Sequence, residues 1–125
     1  MTGRWPAEAI PDEDRVYLRV HKSYVDNSGL QPGVFKDREG AMSTDWEKYS
    51  TPDQSRGRAR KPELNGLIAL RVGPLRNDVH QEVVHSPDEE RDNRSHTDVR
   101  GRKGPEERLK LLRLAVWAIP VDSGS

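Results

Sequence analysis

The hydrophobic residues of this chain are concentrated in three runs, and long polar stretches lie between them. The runs span residues 16–25, 64–72 and 109–121. Apolar residues that are clustered in this way can form one core even when the rest of the chain is polar. The pattern therefore predicts a folded domain with a modest core and long polar loops.

The first run predicts a strand over residues 15–25. Apolar side chains at positions 16, 18 and 20 alternate with Tyr17, Arg19 and His21. This period of two is typical of a strand with one buried face. The opposite face would carry the aromatic ring, the guanidinium and the imidazole together.

The middle of the chain predicts three further strands. Residues 66–73 are almost continuously apolar and lie between glycines, which indicates a central strand covered on both faces. Residues 79–85 alternate weakly and are predicted to form an antiparallel hairpin with that strand. Residues 95–99 suit a short fourth strand.

Two polar helices are predicted from their start signals. Thr44 and Glu47 match a capping box, which indicates a short helix over 42–49. Thr51 and the Pro52 that follows it indicate a second helix. These two helices together would extend from residue 44 to residue 60.

The clearest helix signal begins at Pro105, where two acidic residues suit the positive end of the helix dipole. Leu109, Leu112 and Val116 recur at helical spacing and predict its buried face. After Leu114 the chain is apolar all round, so this end is predicted to be buried, as helix or as an extended segment.

These elements predict one α+β domain. Its small, mostly antiparallel sheet would carry the C-terminal helix on one face and the short polar helices at an edge. The domain is expected to span residues 14–121, after an N-terminal arm at 1–13 and before a disordered tail at 122–125. The predicted core consists of Val16, Leu18, Val20, Leu67, Ile68, Leu70, Val72, Val84, Leu109, Leu112 and Val116.

Composition narrows the function classes. The 125 residues are 32% hydrophobic and 34% charged, with no cysteine and a formal net charge of zero. Zero charge argues against a general nucleic-acid or membrane surface, and the absence of cysteine excludes disulfides and thiolate chemistry. No apolar run is long enough to span a membrane, and no signal-peptide pattern is present. We therefore expect a cytoplasmic protein without a membrane partner.

Two histidines and a carboxylate form the first candidate site. His85 ends one predicted strand, and His96 and Asp98 lie in the next. His85 and His96 suit acid–base catalysis because imidazole titrates near neutral pH. Alternatively, His96 and Asp98 are structural and bond the loop between the strands. The set resembles a three-ligand metal site in composition, but its spacing matches no ligand motif, so no metal site is predicted.

An anion-binding face is the second candidate. Arg19, His21 and Tyr24 lie on or just after the first strand, and Arg94 precedes His96. An arginine, a tyrosine and a histidine on one face suit a phosphate or a nucleotide. The alternative is a solvated face, or one covered by a helix.

Two weaker candidates follow. Ser43 and Thr44 carry hydroxyls that would suit nucleophilic attack, although the capping box accounts for both. A basic cluster would either grip the phosphates of nucleic acid or a nucleotide or form a solvated face. That cluster consists of Arg56, Arg58, Arg60 and Lys61.

Several familiar chemistries lack their motifs. The sequence contains no glycine-rich phosphate loop, no zinc-protease motif, no nucleophile elbow and no EF-hand loop. No cofactor is therefore predicted.

Five short segments carry a resemblance. They are His21-x-x-Tyr24, Leu30-x-Pro32-Gly33-x-Phe35, Met42-Ser43-x-Asp45-Trp46, His85-Ser86-Pro87 and Asn93-Arg94-Ser95-His96-x-Asp98-Val99. In this combination the chain resembles small bacterial proteins without an assigned activity, in which the Asn-x-x-His segment also precedes a C-terminal helix. The resemblance implies one intact domain and transfers no catalytic residue. More loosely, the chain is similar to small ADP-ribosyltransferase-like and RNA phosphotransferase-like domains, with His21, Tyr24 and Ser43 in corresponding places.

Two functional hypotheses follow. The first is a binding or accessory module of a larger bacterial system, which docks on another protein and requires an exposed apolar patch. The second is a small enzyme acting on RNA, a nucleotide or a phosphoester. It would use His85 and His96 as its acid–base pair and requires both rings to converge in one pocket. The sequence leaves enzyme activity and oligomeric state open.

Overall fold

The computed structural model describes residues 4–121. Within that range the strands are β1 (Arg15–His21), β2 (Val25–Asp26), β3 (Gly29–Leu30), β4 (Met42–Trp46), β5 (Asn65–Arg71), β6 (Glu82–His85), β7 (His96–Arg100) and β8 (Val116–Ile119). The α-helices are α1 (Pro52–Gly57), α2 (Val72–Asn77) and α3 (Pro105–Leu114). Short 3-10 turns cover Lys22–Tyr24, Pro32–Val34, Glu47–Tyr49 and Pro62–Leu64. The predicted tail at 122–125 lies outside the described residues.

Six of these strands form one antiparallel sheet in the order β6-β7-β4-β1-β5-β8. Strands β2 and β3 form a separate small hairpin. The predicted α+β class, with a mostly antiparallel sheet and a C-terminal helix, is confirmed. No helix among residues 4–121 has the length and apolar character needed to cross a bilayer.

The main core lies on one face of the sheet. Alternate residues of β1, β4 and β5 point into it, and Val83 and Val99 extend it to the far strands. α3 covers this face through Leu111, and α2 adds Leu75. Its fully buried large side chains include Trp46 and Phe35. Each fully buried side chain of this size contributes on the order of 2 kcal/mol by leaving water.

The opposite face is smaller and more polar. Leu67 and Ala69 of β5 pack there against Tyr17 of β1. α1 lies against β1 and β5. It begins at the helix start predicted at Thr51, where Thr51 and Gln54 form a capping box. Strand β5 is therefore covered on both faces, as its continuous apolar run predicted.

The helix predicted over 42–49 is wrong, because residues 42–46 form β4. Met42, Thr44 and Trp46 are all buried and share one strand face. Thr44 does not cap a helix; its hydroxyl donates to the Thr97 carbonyl at 2.9 Å. A capping-box sequence is a local signal, and here burial of alternate residues in a sheet overrides it.

The hairpin predicted between 66–73 and 79–85 is also wrong. The chain leaves β5 at Arg71 and turns directly into α2, which buries Val72 and Leu75. Strand β6 then lies at the far edge of the sheet, where it pairs with β7. The buried helix between the strands carries the chain past three other strands, so adjacency in sequence is not adjacency in the sheet.

The face that α3 buries is not the one predicted from Leu109, Leu112 and Val116. Leu111 is fully buried, Leu112 is half-buried, and Leu109 is 53% exposed. The chain after Leu114 is extended as β8, and this edge strand leaves Val116 64% exposed and Trp117 37% exposed. Val84 is half-buried, because it lies on the sheet face opposite the main core.

Two leucines of α3 provide a matched test of this helix orientation. Leu111→Ala is expected to lower the free energy of unfolding by about 2–5 kcal/mol, because it leaves a cavity in the core. Leu109→Ala is expected to change it by less than about 0.5 kcal/mol, because that side chain faces solvent. Urea denaturation followed by circular dichroism measures both, and equal losses would contradict the orientation of α3.

Candidate functional site

A cleft opens where β1 and β4 separate at one end of the sheet. Among the described residues these strands are paired at two positions, Val16 with Trp46 and Tyr17 with Asp45. Beyond them β1 continues along β5 as far as His21, and β4 runs along β7 back to Met42. The two inner strands of the sheet thus diverge and leave a gap between them.

The gap is the mouth of a cavity of about 700 Å³. Its walls carry one carboxylate, Glu39, and six cationic side chains. These are Arg19, Lys36, Arg38, Arg60, Lys61 and Arg91. Because the whole chain has no net charge, this concentration of cations means that the rest of the surface is net acidic.

An ion pair with a buried carboxylate fixes the position of Arg19 at the cleft. Its guanidinium donates to Asp45 Oδ2 at 3.0 Å and to the Ser55 carbonyl at 3.2 Å. Asp45 is only 1% exposed, and its other oxygen accepts from the Asn93 side-chain amide at 2.9 Å. A buried carboxylate requires such partners because desolvation penalises an unpaired charge. The pair therefore joins β1, β4 and the loop before β7.

His21 and Tyr24, predicted as ligand-binding residues, also line the cleft. His21 Nδ1 accepts from the Ser23 backbone amide at 3.0 Å and so caps the 3-10 turn that follows β1. The Lys36 ammonium donates to the Tyr24 hydroxyl at 2.6 Å. The turn therefore presents an imidazole and a phenol ring at one wall.

Ser43 lies on the solvent side of β4 and lines the same cleft. His96 of β7 contacts it, with Nε2 lying 3.3 Å from the Ser43 hydroxyl oxygen. The other ring nitrogen, Nδ1, is 2.9 Å from the Ser86 carbonyl oxygen. Asp98 Oδ1 lies 3.8 Å from His96 Nε2, and Arg100 binds the second oxygen of Asp98. His96 and Asp98 therefore lie on one face of β7, and His96 contacts Ser86 in the loop that follows β6.

His85 is not part of that arrangement. It is paired with Thr97, the neighbour of His96 on β7, and successive strand residues point to opposite faces. His85 accordingly lies in the core, with its ring centroid 5.0 Å from Trp46 and 5.9 Å from Tyr49. Its Nδ1 accepts from the Glu8 backbone amide at 3.0 Å, so Nε2 donates to the Arg94 carbonyl at 2.7 Å. The two histidines do not converge on one point.

Arg94 lies with His85 and away from the cleft. Its guanidinium carbon is 4.0 Å from the centre of the Tyr49 ring, and it donates to the Tyr49 hydroxyl at 3.2 Å. Glu8 accepts from that hydroxyl and from Lys48. These contacts hold the N-terminal arm against the domain, and further along the arm Ile10 is buried in the main core.

The predicted basic cluster is divided. Arg60 and Lys61 line the cleft, whereas Arg56 donates to the Asn65 carbonyl at 2.8 Å and so ties α1 to β5. Arg58 is exposed at the end of α1 and does not line the cavity. Two of the four cations are thus placed to meet a ligand.

Sequence reasoning missed Lys36, Arg38 and Arg91, which complete the cationic lining. Lys36 and Arg38 lie in the loop before β4, and Arg91 lies in the loop between β6 and β7. No local pattern marks these three cations, because basic residues are spread along the whole sequence. Their convergence depends on strand order, which the sequence did not reveal.

Comparison with known proteins adds no functional assignment. A scan against models of protein families, a search of curated proteins and a search of solved structures each match nothing. The resemblance to small bacterial proteins therefore stays a prediction. Within residues 4–121, no group of three or more histidine or carboxylate side chains is placed to hold a metal ion.

The arm contact predicts a pH-dependent stability. Hydrogen bonds from Lys48 and Tyr49 hold the pKa of Glu8 below its ordinary value of 4.5. A lowered pKa means that this contribution is complete above pH 4.5 and is lost as pH falls through the lower folded value. Glu8→Gln should therefore destabilise the protein at pH 7, and its difference from wild type should shrink in acid.

Urea unfolding of both proteins at pH 7 and at stepwise lower pH measures this difference. Glu13→Gln is the matched control, because Glu13 is an exposed carboxylate of the same arm and should show no such trend. A wild-type advantage over Glu8→Gln that is constant down to strongly acid pH would contradict the assignment.

Removal of the buried Asp45 carboxylate is expected to lower the free energy of unfolding. Asp45→Asn leaves Arg19 without its counter-ion beneath the cleft. We expect the free energy of unfolding to fall by about 2 kcal/mol or more, less than for a fully buried pair because the Arg19 side chain is 30% exposed. Glu63→Gln removes an exposed carboxylate and should stay within about 0.5 kcal/mol of wild type. Equal unfolding midpoints for the two variants would contradict the role of the pair.

Proposed function

We propose that this protein is a small binding module whose cleft takes a phosphate-bearing ligand. The ligand is a nucleotide, free or at an unpaired position of RNA. The observation that carries the proposal is the gathering of six cations and a single carboxylate around one cavity in a chain of zero net charge. A uniformly mixed surface would not focus positive potential at one point.

Several of these cations are available to an anion. Arg38, Arg60 and Lys61 have no ion-pair partner among the described residues, and all three are exposed. Arg19 is committed to Asp45, but its fork of five donors leaves further N–H groups for a second acceptor. Charge-assisted hydrogen bonds of this kind are among the stronger polar contacts in proteins. A phosphate would supply the acceptors that this wall lacks.

The cavity also has a place for a base. Its volume of about 700 Å³ falls within the range of small-molecule sites, about 300–1,000 Å³. Buried apolar side chains also line it, among them Leu18, Val34 and Met42. Tyr24 adds an aromatic ring at the wall, and stacking on such rings is a common way to hold an unpaired base. Cations and apolar side chains together suit a nucleotide better than a free phosphate.

An accessory role in a larger assembly is the second candidate, and the outer edge of the sheet favours it. β8 is an edge strand, and it exposes Val116 and Trp117. An exposed apolar edge suits an extended apolar segment of another protein that would add one more strand. The two candidates use different surfaces, so variants of the cleft test the first candidate and leave the β8 edge unchanged.

Charge reversal in the cleft tests the first candidate. Arg38→Glu with Arg60→Glu should weaken binding of AMP and of a short fluorescent oligouridine by at least about tenfold, because two charge-assisted contacts are replaced by repulsion. Isothermal titration and fluorescence anisotropy measure the two ligands. Wild-type affinity should also fall as salt is raised.

The matched control is Arg102→Glu with Arg113→Glu, which makes the same change in net charge at exposed positions outside the cleft. It should bind as wild type does. If neither AMP nor the oligouridine binds the wild-type protein, the proposal is overturned. It is also overturned if both double variants bind these ligands equally well. The β8 edge would then be the leading surface.

A further inference from the structure

We propose that Ser43 is a nucleophile activated by His96 and that it acts on the phosphoester of a ligand held in the cleft. The proposal rests on the function proposed above for the class of substrate. The activation of the serine is argued separately, from the contacts of two side chains on neighbouring strands. Ser43 faces the cavity, and His96 lies behind it on β7.

The hydrogen bonds of His96 determine which ring nitrogen is basic. Nδ1 lies 2.9 Å from the Ser86 carbonyl oxygen and 3.0 Å from the Ser86 hydroxyl. The hydroxyl can donate or accept, whereas the carbonyl oxygen accepts only, so the carbonyl assigns the proton to Nδ1. In the neutral ring Nε2 then carries the lone pair, and it faces the Ser43 hydroxyl at 3.3 Å. A base oriented by a second group and adjacent to a hydroxyl is the general arrangement of an activated nucleophile.

Charged side chains surround His96 on its sheet face. Asp98 lies 3.8 Å from Nε2, while Arg100 balances part of its charge at 3.0 Å. Across the strand pair the neighbouring carboxylate is Asp45, whose charge is matched by Arg19. The His96 side chain is 20% exposed, which leaves a path for a water molecule in a second step.

The reaction is written as phosphoryl transfer. Ser43 Oγ attacks phosphorus, and its proton moves to His96 Nε2 while the bond from phosphorus to the leaving oxygen breaks. The imidazolium then protonates that oxygen. In the second step His96 takes a proton from water, the oxygen of that water bonds to phosphorus, and the Oγ–phosphorus bond breaks. The imidazolium then returns the proton to Ser43 Oγ, which releases phosphate and restores both side chains. The cleft cations, Arg19 among them, face the charge that develops on the phosphoryl oxygens.

Two further serine–histidine contacts serve as internal comparisons. The Ser86 hydroxyl lies 3.0 Å from His96 Nδ1, but that nitrogen carries the proton, so it does not activate the hydroxyl. The other contact joins Ser23 and His21. The Ser23 hydroxyl lies 2.9 Å from His21 Nδ1, but that nitrogen already accepts the Ser23 backbone amide. The contact is a turn cap, and the lone pair is committed to it. Ser23 should therefore show ordinary serine reactivity although it is exposed.

A phosphorus electrophile tests activation without knowledge of the natural substrate. Diisopropyl fluorophosphate reacts by the same first step: an Oγ–phosphorus bond forms, the phosphorus–fluorine bond breaks, fluoride leaves and His96 takes the proton. The full-length chain is treated at pH 7.5, and peptide mass spectrometry follows labelling of each serine over time. We expect Ser43 to be labelled and Ser23 to stay unmodified.

Three variants and a pH series assign the roles. Ser43→Ala should remove the label, and His96→Asn should slow labelling by about a hundredfold, the usual contribution of a general base. Asp98→Asn should slow it less. Labelling of the wild type should fall in acid, where imidazole is protonated, which gives a readout if His96→Asn does not fold. Unmodified Ser43, or labelling at equal rates with and without His96 and across pH, overturns the inference.

Excess AMP separates this inference from the binding proposal. Protection of Ser43 by AMP supports both, because it places the nucleotide beside the hydroxyl. Labelling that requires His96 but is indifferent to AMP supports the nucleophile and overturns the proposed ligand. Bound AMP with an inert Ser43 overturns the nucleophile and leaves the binding module standing.

Discussion

The ion pair between Arg19 and Asp45 joins the two halves of the sheet at the point where they separate. On one side β1 follows β5, and on the other β4 follows β7. Asp45 is buried and bonded to Arg19 and to Asn93, so the same carboxylate also fixes the loop that leads into His96. A buried charge is stable only with its partners in place. The need to pair Asp45 with Arg19 and Asn93 therefore fixes how β1 and β4 are positioned where they diverge.

Such a pair is a costly way to stabilise a sheet, because apolar residues of similar volume would often serve as well or better. Its location beneath a cationic cavity agrees with a role in orienting Arg19 as well as in stabilising the sheet. Arg19 is held in one orientation by Asp45 and the Ser55 carbonyl, with part of its guanidinium left toward the cleft. Arg38 and Arg60, by contrast, are exposed and have no ion-pair partner among residues 4–121. A fixed inner cation with adjustable outer ones suits an anion that enters from solvent.

The sequence predicted the elements whose signals are local. The strands at β1 and β5, the capped start of α1 at Thr51 and the start of α3 at Pro105 all follow from patterns within ten residues. It failed where distant pairing decided the outcome. Thr44 matched a helix cap but is bonded to Thr97, 53 positions away, and no local rule reveals that partner. Arg19, His21 and Tyr24 were recognised as one group because they are neighbours in the chain, whereas Lys36 and Arg91 join them only through the strand order.

The candidate site depends on strand register as much as on residue identity. In β4 the buried Thr44 lies between Ser43 and Asp45, and in β7 the buried Thr97 lies between His96 and Asp98. A slip of one residue in either strand would turn its polar side chains into the core and bring the threonines to the surface. Burial of Met42, Trp46 and Val99 on the core face opposes that slip, because every one of them would be exposed by it. The hydrophobic core therefore sets which hydroxyl and which imidazole meet, and His85, which points into that core, is excluded from the cleft by the same alternation.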